Sequence, residues 1–289
     1  MLAQKAGFYL LNLREYHHGI GAFAESKSYL ANILDSPRKY KHEKSKPALD
    51  VFAGEAKKFN DGTALHTYFG EPEKFDEEVI VYIPFKGDGS VALNEELQQD
   101  IRDSGQTPIR QDVRLMLTDF NSLLHSGEHE EARKVIEHPD RIVEQSGFFQ
   151  DPQTGLWLKF RPDSIIPTDV AIWDLKKHTT PTGFKKQAMF LHYDLQAYMC
   201  LLGCSILTGV EHTDFGFIVF HAKEKPYDIE IVRADYDFIE SGRRKFVKAT
   251  TLLKECLDND KWPGKYKDEI GTISPTSGRL WQLENLIYD

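Results

Sequence analysis

Two carboxylates and one amine form the pattern in this sequence that could do chemistry. Pro162-Asp163 is followed, eleven residues after the aspartate, by Asp174-Leu175-Lys176. In a strand, alternate side chains share a face, so Asp174 and Lys176 are predicted to point one way and Leu175 into the core. Carboxylates suit Mg²⁺ or Mn²⁺, and a nearby ammonium can hold a metal-bound water. The combination predicts metal-dependent hydrolysis of a phosphodiester.

Each member of this pattern also has an ordinary explanation. Asp163 could end a strand, Asp174 could cap one, and Lys176 could be a solvated surface lysine. A Pro-Asp pair followed by an acidic-x-Lys triplet arises by chance in a chain of average composition. The pattern alone is therefore a weak signal, and the segments around it decide its meaning.

The predicted elements that must position these residues describe an α/β sandwich around one mixed sheet. Helical spacing predicts helices over residues 26–36, 63–69, 111–125, 129–137, 184–203 and 235–257. Alternation predicts a hairpin of strands 143–149 and 155–161 around the turn DPQTG, then strands 170–176, 215–222 and 227–234. We expect one domain over residues 1–289, with a mainly helical part (1–140) and a part containing the catalytic sheet and C-terminal helices (141–289).

Composition narrows the class of protein. Three cysteines are too few for a disulfide framework or a four-cysteine metal site, which predicts a cytoplasmic protein. No apolar run approaches the ~20 residues that span a bilayer, and no leader is recognisable at the start, so no membrane association is expected. The formal net charge of -9 counts against a protein that coats nucleic acid along its whole surface. A nuclease needs positive charge only locally.

The segments around the chemical pattern resemble a known family. LKFRPDSIIP and WDLKK, preceded by FFQDPQTG, resemble the catalytic hairpin of the exonuclease VIII (RecE) group of PD-(D/E)xK nucleases. DGTALHTYFGEPEKF is similar to the histidine-bearing helix of that family, and NLREYHHGIGAFAESKSYLANILDSPRKY to its opening. KEKPYDIEIV, ECLDNDKWPGKY and a late Leu-Trp segment follow its closing pattern. The likeness runs from about residue 12 to 282 and implies a restriction-endonuclease-like core with a central mixed sheet flanked by helices.

Carried over residue by residue, the resemblance implies a metal site and a catalytic amine. The metal ligands would be His66, Asp163, Asp174 and the carbonyl of Leu175, and the cofactor Mg²⁺, for which Mn²⁺ can substitute. Lys176 would be the catalytic amine, and Glu144 matches an additional acidic position of the family. Without the resemblance, the favoured interpretation of His66 is a core histidine on a short helix.

One glutamine supports the resemblance to these nucleases, and one cysteine differs from their usual pattern. Gln196 matches the catalytic glutamine that RecB-like nucleases carry on the helix after the DxK strand. Tyrosine usually follows it by four residues, where this chain has Cys200. His192, Gln196 and Cys200 are predicted to form one helical stripe, from which Gln196 can reach the site. The iron–sulfur exonucleases share these motifs but need four cysteines, so they are disfavoured.

The resemblance implies a Mg²⁺-dependent exodeoxyribonuclease. Family members degrade the 5′ strand of linear double-stranded DNA to leave 3′ overhangs for recombination. They form ring-shaped homo-oligomers, expected here as a trimer or tetramer, and act with a single-strand annealing protein of the RecT type in the bacterial cytoplasm. Arg38 and Lys185 are predicted to bind the 5′-phosphate, and Arg161 to contact DNA.

Three rival functions stay open at this point. A structure-specific or nicking endonuclease would use the same metal site, and a DNA-end-binding protein could keep the fold without catalysis. A small-molecule α/β enzyme is less favoured, because no G-x-G-x-x-G, P-loop or G-x-S-x-G motif stands at a strand-to-helix turn.

Overall fold

A mixed five-stranded sheet lies at the centre of the fold. The computed structural model describes residues 5–46 and 60–266. The strands of the sheet are β4 (Ile142–Val143), β7 (Ser164–Ile166), β8 (Ala171–His178), β9 (Asp214–His221) and β10 (Asp228–Arg233), in spatial order β10-β9-β8-β7-β4. β8 and β9 are parallel, and the other neighbouring pairs are antiparallel. The Leu-Trp segment at 280–281 lies outside the described residues, and the single domain over 1–289 stays a prediction.

Five further strands form two smaller sheets. β1 (Gly7–Tyr9), β5 (Ser146–Gln150) and β6 (Trp157–Phe160) form an antiparallel sheet in the order β1-β5-β6, whereas β2 (Val79–Tyr82) and β3 (Thr107–Arg110) form a parallel pair. The predicted hairpin is confirmed as β5–β6. The mainly helical prediction for residues 1–140 missed β1, β2 and β3, because strands of three or four residues are too short to show a clear period.

Helices account for most of the remaining residues that the structure describes. They are α1 (Leu13–His18), α2 (Lys27–Asp35), α3 (Pro37–Lys44), α4 (Asn60–Gly70), α5 (Phe75–Glu78), α6 (Ser90–Asp103), α7 (Gln111–Leu124), α8 (Glu130–Ile136), α9 (Phe184–Phe190), α10 (Tyr193–Thr208) and α11 (Tyr236–Asn259). Within residues 5–46 and 60–266, none of them is both long and apolar enough to cross a membrane.

The helix predicted over residues 184–203 is two helices in the structure. His192 adopts a left-handed backbone conformation (φ 56°) between α9 and α10, and α10 continues to Thr208. His192 therefore precedes the helix that carries Gln196, so the predicted stripe of three residues is wrong at its first member. Helical spacing of apolar residues persists across the break, which is why the sequence pattern does not reveal it.

Helices cover both faces of the central sheet. On one face, Phe217 and Val219 pack in a core with Leu195 of α10 and Phe246 of α11. On the other face, Leu175 packs in a second core that includes residues of α4 and α7. Leu175 packs in this second core, whereas Asp174 contacts Gln196 of α10 on the first face, which confirms the alternation predicted along β8.

Phe160 fixes the hairpin against α10 at very short range. A Cβ atom on Gly147 of β5 would lie 2.3 Å from the Phe160 ring, and a Cβ on Gly203 of α10 would lie 2.2 Å from it. Only glycine leaves room for the ring at these two positions. Because Asp163 follows Phe160 by three residues, this contact also fixes the start of the chemical pattern.

Candidate metal centre and catalytic face

Three groups from separate elements meet on what we call the acidic side of the site: His66, Glu144 and Asp163. His66 Nδ1 lies 3.0 Å from Asp163 Oδ1 and 3.8 Å from Glu144 Oε1. One ligand atom from each residue lies within 4.8 Å of the others. An imidazole nitrogen and two carboxylates are a donor set that suits a divalent cation, so the acidic side fits a divalent metal ion.

Asp163 joins the acidic side to strand β8. Its Oδ2 accepts a hydrogen bond of 2.5 Å from the backbone N–H of Leu175. A strand residue directs its N–H and C=O to the same neighbour, so the Leu175 carbonyl lies on the Asp163 side of β8. This orientation agrees with the role of the Leu175 carbonyl as a metal ligand, which stays a prediction.

Three residues form what we call the lysine side of the site: Asp174 and Lys176 on β8, and Gln196 on α10. Gln196 Nε2 donates a hydrogen bond of 2.7 Å to Asp174 Oδ1, and Lys176 forms an ion pair with the other carboxylate oxygen. Lys176 Nζ also lies 4.8 Å from the centre of the Tyr193 ring. Asp174 is not part of the three-residue cluster of the acidic side, and its predicted role as a metal ligand stays a prediction.

Opposite charges shift the protonation of both sides. Burial alone lowers the pKa of His66, but the Asp163 and Glu144 carboxylates outweigh it and raise the pKa to about 9. Burial works against the charge on Asp163, yet His66 holds its pKa below the ordinary value. Burial raises the pKa of Asp174 to about 6, and against burial Asp174 and Asp163 hold the pKa of Lys176 above its ordinary value. At neutral pH the site is therefore a set of paired charges, and a metal ion would replace the proton on His66.

Arg161 holds Glu144 in the acidic side. Its Nε donates to Glu144 Oε2, its Nη1 donates to the carbonyl of Leu11 at 2.7 Å, and its side chain is 13% exposed. Glu144 has a left-handed backbone conformation (φ 51°), and it follows β4 instead of lying on the predicted first hairpin strand. In the structure its guanidinium is engaged with Glu144 and Leu11, and the DNA contact expected of Arg161 stays a prediction.

The other predicted positions lie outside this constellation. Arg38 is exposed on α3 with its guanidinium against Gly264, and Lys185 is exposed in the first turn of α9. Among the described residues, neither side chain forms a hydrogen bond or an ion pair with the acidic or the lysine side, and their role at the 5′-phosphate stays a prediction. Cys200 is buried in the core beside α11, where burial raises its pKa, so it does not replace a tyrosine that contacts substrate.

Arg141 is a residue of the site region that the sequence pattern missed. Its Nη2 donates to the carbonyls of Phe69 (2.8 Å) and Gly70 (3.3 Å), and its Nη1 donates to the carbonyl of Ile136. A cation on the last carbonyls of a helix stabilises that end of it. Arg141 therefore fixes α4, which carries His66, but nothing in the local sequence indicates the contact.

Comparison with known proteins agrees with this geometry. The sequence profile of the PDDEXK-like domain of unknown function (DUF3799) matches residues 26–270. The chain belongs to this family. The PDDEXK motif is named for two acidic residues and a lysine. In this chain the residues that fit those positions are Asp163, Asp174 and Lys176. A more specific relation to the RecE group is not shown, and no curated protein matches the chain.

Solved structures add a comparison of the fold. A candidate exonuclease from Eubacterium rectale has a TM-score of 0.59 at 14% sequence identity, over 94% of this chain and 98% of that one. The protein SSO0001 has a TM-score of 0.31 at 14% identity, over 74% of this chain and 91% of that one. The first likeness shows that the two proteins share a fold.

Proposed function

We propose that this PDDEXK-like chain is a Mg²⁺-dependent exodeoxyribonuclease, able to use Mn²⁺. It degrades linear double-stranded DNA from 5′ to 3′ and leaves 3′ overhangs for recombination by strand annealing. The observation that carries the hydrolytic part of the proposal is the position of Asp163. Its two oxygens face His66 on the acidic side and the backbone of β8 on the lysine side, so the metal-binding groups and Lys176 converge on one place.

Each residue of the site has a physical task in this reaction. His66, Glu144 and Asp163 would hold the cation, which when bound makes hydroxide available at neutral pH and neutralises charge on the phosphate. Lys176 keeps its proton at neutral pH, so its ammonium can orient a water molecule and stabilise negative charge on the phosphate oxygens. Gln196 holds the Asp174 carboxylate and thereby limits how far Lys176 can move.

The choice of an exonuclease rests on similarity. The catalytic hairpin resembles that of the RecE group, and the Eubacterium rectale protein of the same fold is described as a candidate exonuclease.

Digestion of labelled DNA tests the proposal. Linear duplex DNA labelled at the 5′ end is compared with closed circular DNA, in Mg²⁺ or EDTA, for the wild type and Asp163→Ala. We expect Mg²⁺-dependent release of 5′ nucleotides from linear DNA alone, and none from the variant. Cutting of circles would favour an endonuclease. No cleavage, with binding to DNA ends retained, would favour a binding protein.

We also propose a ring-shaped homo-oligomer and an annealing protein of the RecT type as partner. A ring that encloses the duplex would let a chain with a formal net charge of -9 stay on DNA with only its channel positively charged. Native mass spectrometry of the full chain, with and without linear duplex DNA, tests the ring. A trimer or tetramer is the expected species, and a monomer that stays monomeric on DNA would exclude it.

A further inference from the structure

An exposed apolar segment runs beside the lysine side of the site. Phe190 is 82% exposed at the end of α9, and its neighbours Met189 and Leu191 are 43% and 36% exposed. Single exposed apolar residues are common on protein surfaces. Three consecutive exposed apolar residues at the turn between α9 and α10 form a small apolar patch. The patch is of interest because it lies near the lysine side.

The patch lies close to the catalytic lysine. Tyr193 begins α10 three residues after Phe190, and Lys176 Nζ lies 4.8 Å from the centre of the Tyr193 ring. Three residues of chain span at most about 11 Å, which limits the distance between the Cα atoms of Phe190 and Tyr193. Phe190 is therefore joined to the lysine side by a short segment of chain, within a few nucleotides of a phosphate placed at Lys176.

A second cation lies between the patch and Lys176. Lys27, the first residue of α2, donates from Nζ to the carbonyl of Leu191 at 2.6 Å and lies 5.3 Å from the centre of the Tyr193 ring. Within the described part of the chain, no carboxylate oxygen is within ion-pair distance of Lys27 Nζ. Burial, and then the charge of Lys176, lower the pKa of Lys27 to about 8. An anion near Lys27 would relieve this unfavourable placement of a cation.

We propose that Phe190 and Lys27 form a nucleotide-binding subsite for DNA, in which Phe190 stacks on an unpaired base and Lys27 binds a phosphate next to the scissile one. This inference rests on the proposed nuclease function. Stacking on an aromatic ring accepts any base, and a lysine contact to phosphate carries no sequence information, so the subsite is independent of DNA sequence. It would hold the strand end that enters the site apart from its complement.

Stacking is tested by fluorescence in EDTA, where DNA is bound without cleavage. The probe is a short 5′-phosphorylated linear duplex with 2-aminopurine in one of the first two 5′ positions. We expect Phe190→Ala to weaken binding about tenfold and to abolish the change in 2-aminopurine fluorescence, and Phe190→Trp to retain both. Tyr236→Ala is the matched control, since Tyr236 is 80% exposed at the start of α11. Affinity and fluorescence unchanged in Phe190→Ala would overturn the stacking role.

The phosphate contact is tested by the salt dependence of binding to the same duplex. Lys27→Met should reduce the slope of log affinity against log salt concentration by about 0.7–0.9, whereas Lys27→Arg should keep it. Lys134→Met, at an exposed lysine of α8, should leave the slope unchanged. A slope unaltered in Lys27→Met would overturn the phosphate contact.

The two proposals fail separately in these assays. A wild type that stacks and binds DNA ends but never cleaves in Mg²⁺ overturns the nuclease function and leaves the subsite standing. A wild type that cleaves, with Phe190→Ala and Lys27→Met unaltered in both binding assays, overturns the subsite alone.

Discussion

The acidic and lysine sides of the site are built in different ways. His66, Glu144 and Asp163 come from three separate segments and are partly open to solvent, with side chains 29%, 18% and 10% exposed. Asp174 and Lys176 lie on one strand of the central sheet, and Gln196 holds Asp174 from a helix packed on that strand. A packed core therefore positions the lysine side by itself. On the acidic side Arg161 pairs with Glu144, and a proton on His66 or a bound metal ion would balance the remaining negative charge.

The largest effect is expected where the two sides meet. Asp163→Asn removes a charge that faces His66 and weakens the metal site, so cleavage of linear DNA should fall at least about a thousandfold. The exposed Asp76→Asn is the matched control and should leave the rate unchanged. Rates are measured by release of 5′ label in Mg²⁺. An Asp163→Asn variant with more than a tenth of wild-type activity would place the metal elsewhere.

Metal binding should depend on the acidic side and not on the lysine side. Mn²⁺ at about one hundred times its Kd should stabilise the wild type by about 2.7 kcal/mol and raise Tm by several degrees. His66→Ala should lose this shift, whereas Lys176→Met should keep it. Thermal unfolding with and without Mn²⁺ measures both. Equal shifts in His66→Ala and the wild type would contradict the division.

Arg161 provides a further test of the acidic side, because it holds the predicted ligand Glu144. Arg161→Gln should lower metal affinity about 10- to 100-fold, as loss of a group that orients a metal ligand commonly does. The salt dependence of DNA binding should not change. Calorimetry of Mn²⁺ binding and anisotropy of labelled DNA provide the two readouts. Unchanged metal affinity together with a reduced salt dependence of DNA binding would show that Arg161 contacts DNA.

Packing beneath the site should have a moderate effect on stability. Gly203→Ala forces a Cβ against the Phe160 ring and should destabilise the fold by about 1–3 kcal/mol, seen as a lower Tm. Gly183→Ala is the control, because no atom lies within 4 Å of the position of its Cβ. Equal Tm values for the two variants would show that the hairpin can move away from α10.

The smallest effect is a pH dependence on the lysine side. Burial and Lys176 lower the pKa of Lys27 to about 8, with smaller effects of Asp174 and Asp194, which raise it, and of Lys245, which lowers it. Lys27 is charged below that pH and neutral above it. DNA affinity in EDTA should therefore fall a few-fold more between pH 7 and 9 for the wild type than for Lys27→Arg. The same decline in both would assign the pH dependence to other groups.

The sequence predicted the parts of the site that depend on local periodicity. Alternation along β8 placed Asp174 and Lys176 on one face, and the turn DPQTG identified the hairpin before Asp163. The interactions of Lys27 and Arg141 join residues 164 and 72 positions apart, so no local pattern could reveal them. His192 was missed because a single left-handed residue interrupts a helix without changing its apolar spacing.

Parallel measurement of Mn²⁺ binding and DNA cleavage tests the central claim most directly. Calorimetry and digestion of linear duplex DNA are carried out on wild type, His66→Ala and Lys176→Met. We expect Lys176→Met to bind Mn²⁺ as the wild type does and to cleave nothing, and His66→Ala to lose both functions. A His66→Ala protein that binds Mn²⁺ and degrades DNA like the wild type would contradict a metal-dependent nuclease built on the acidic side.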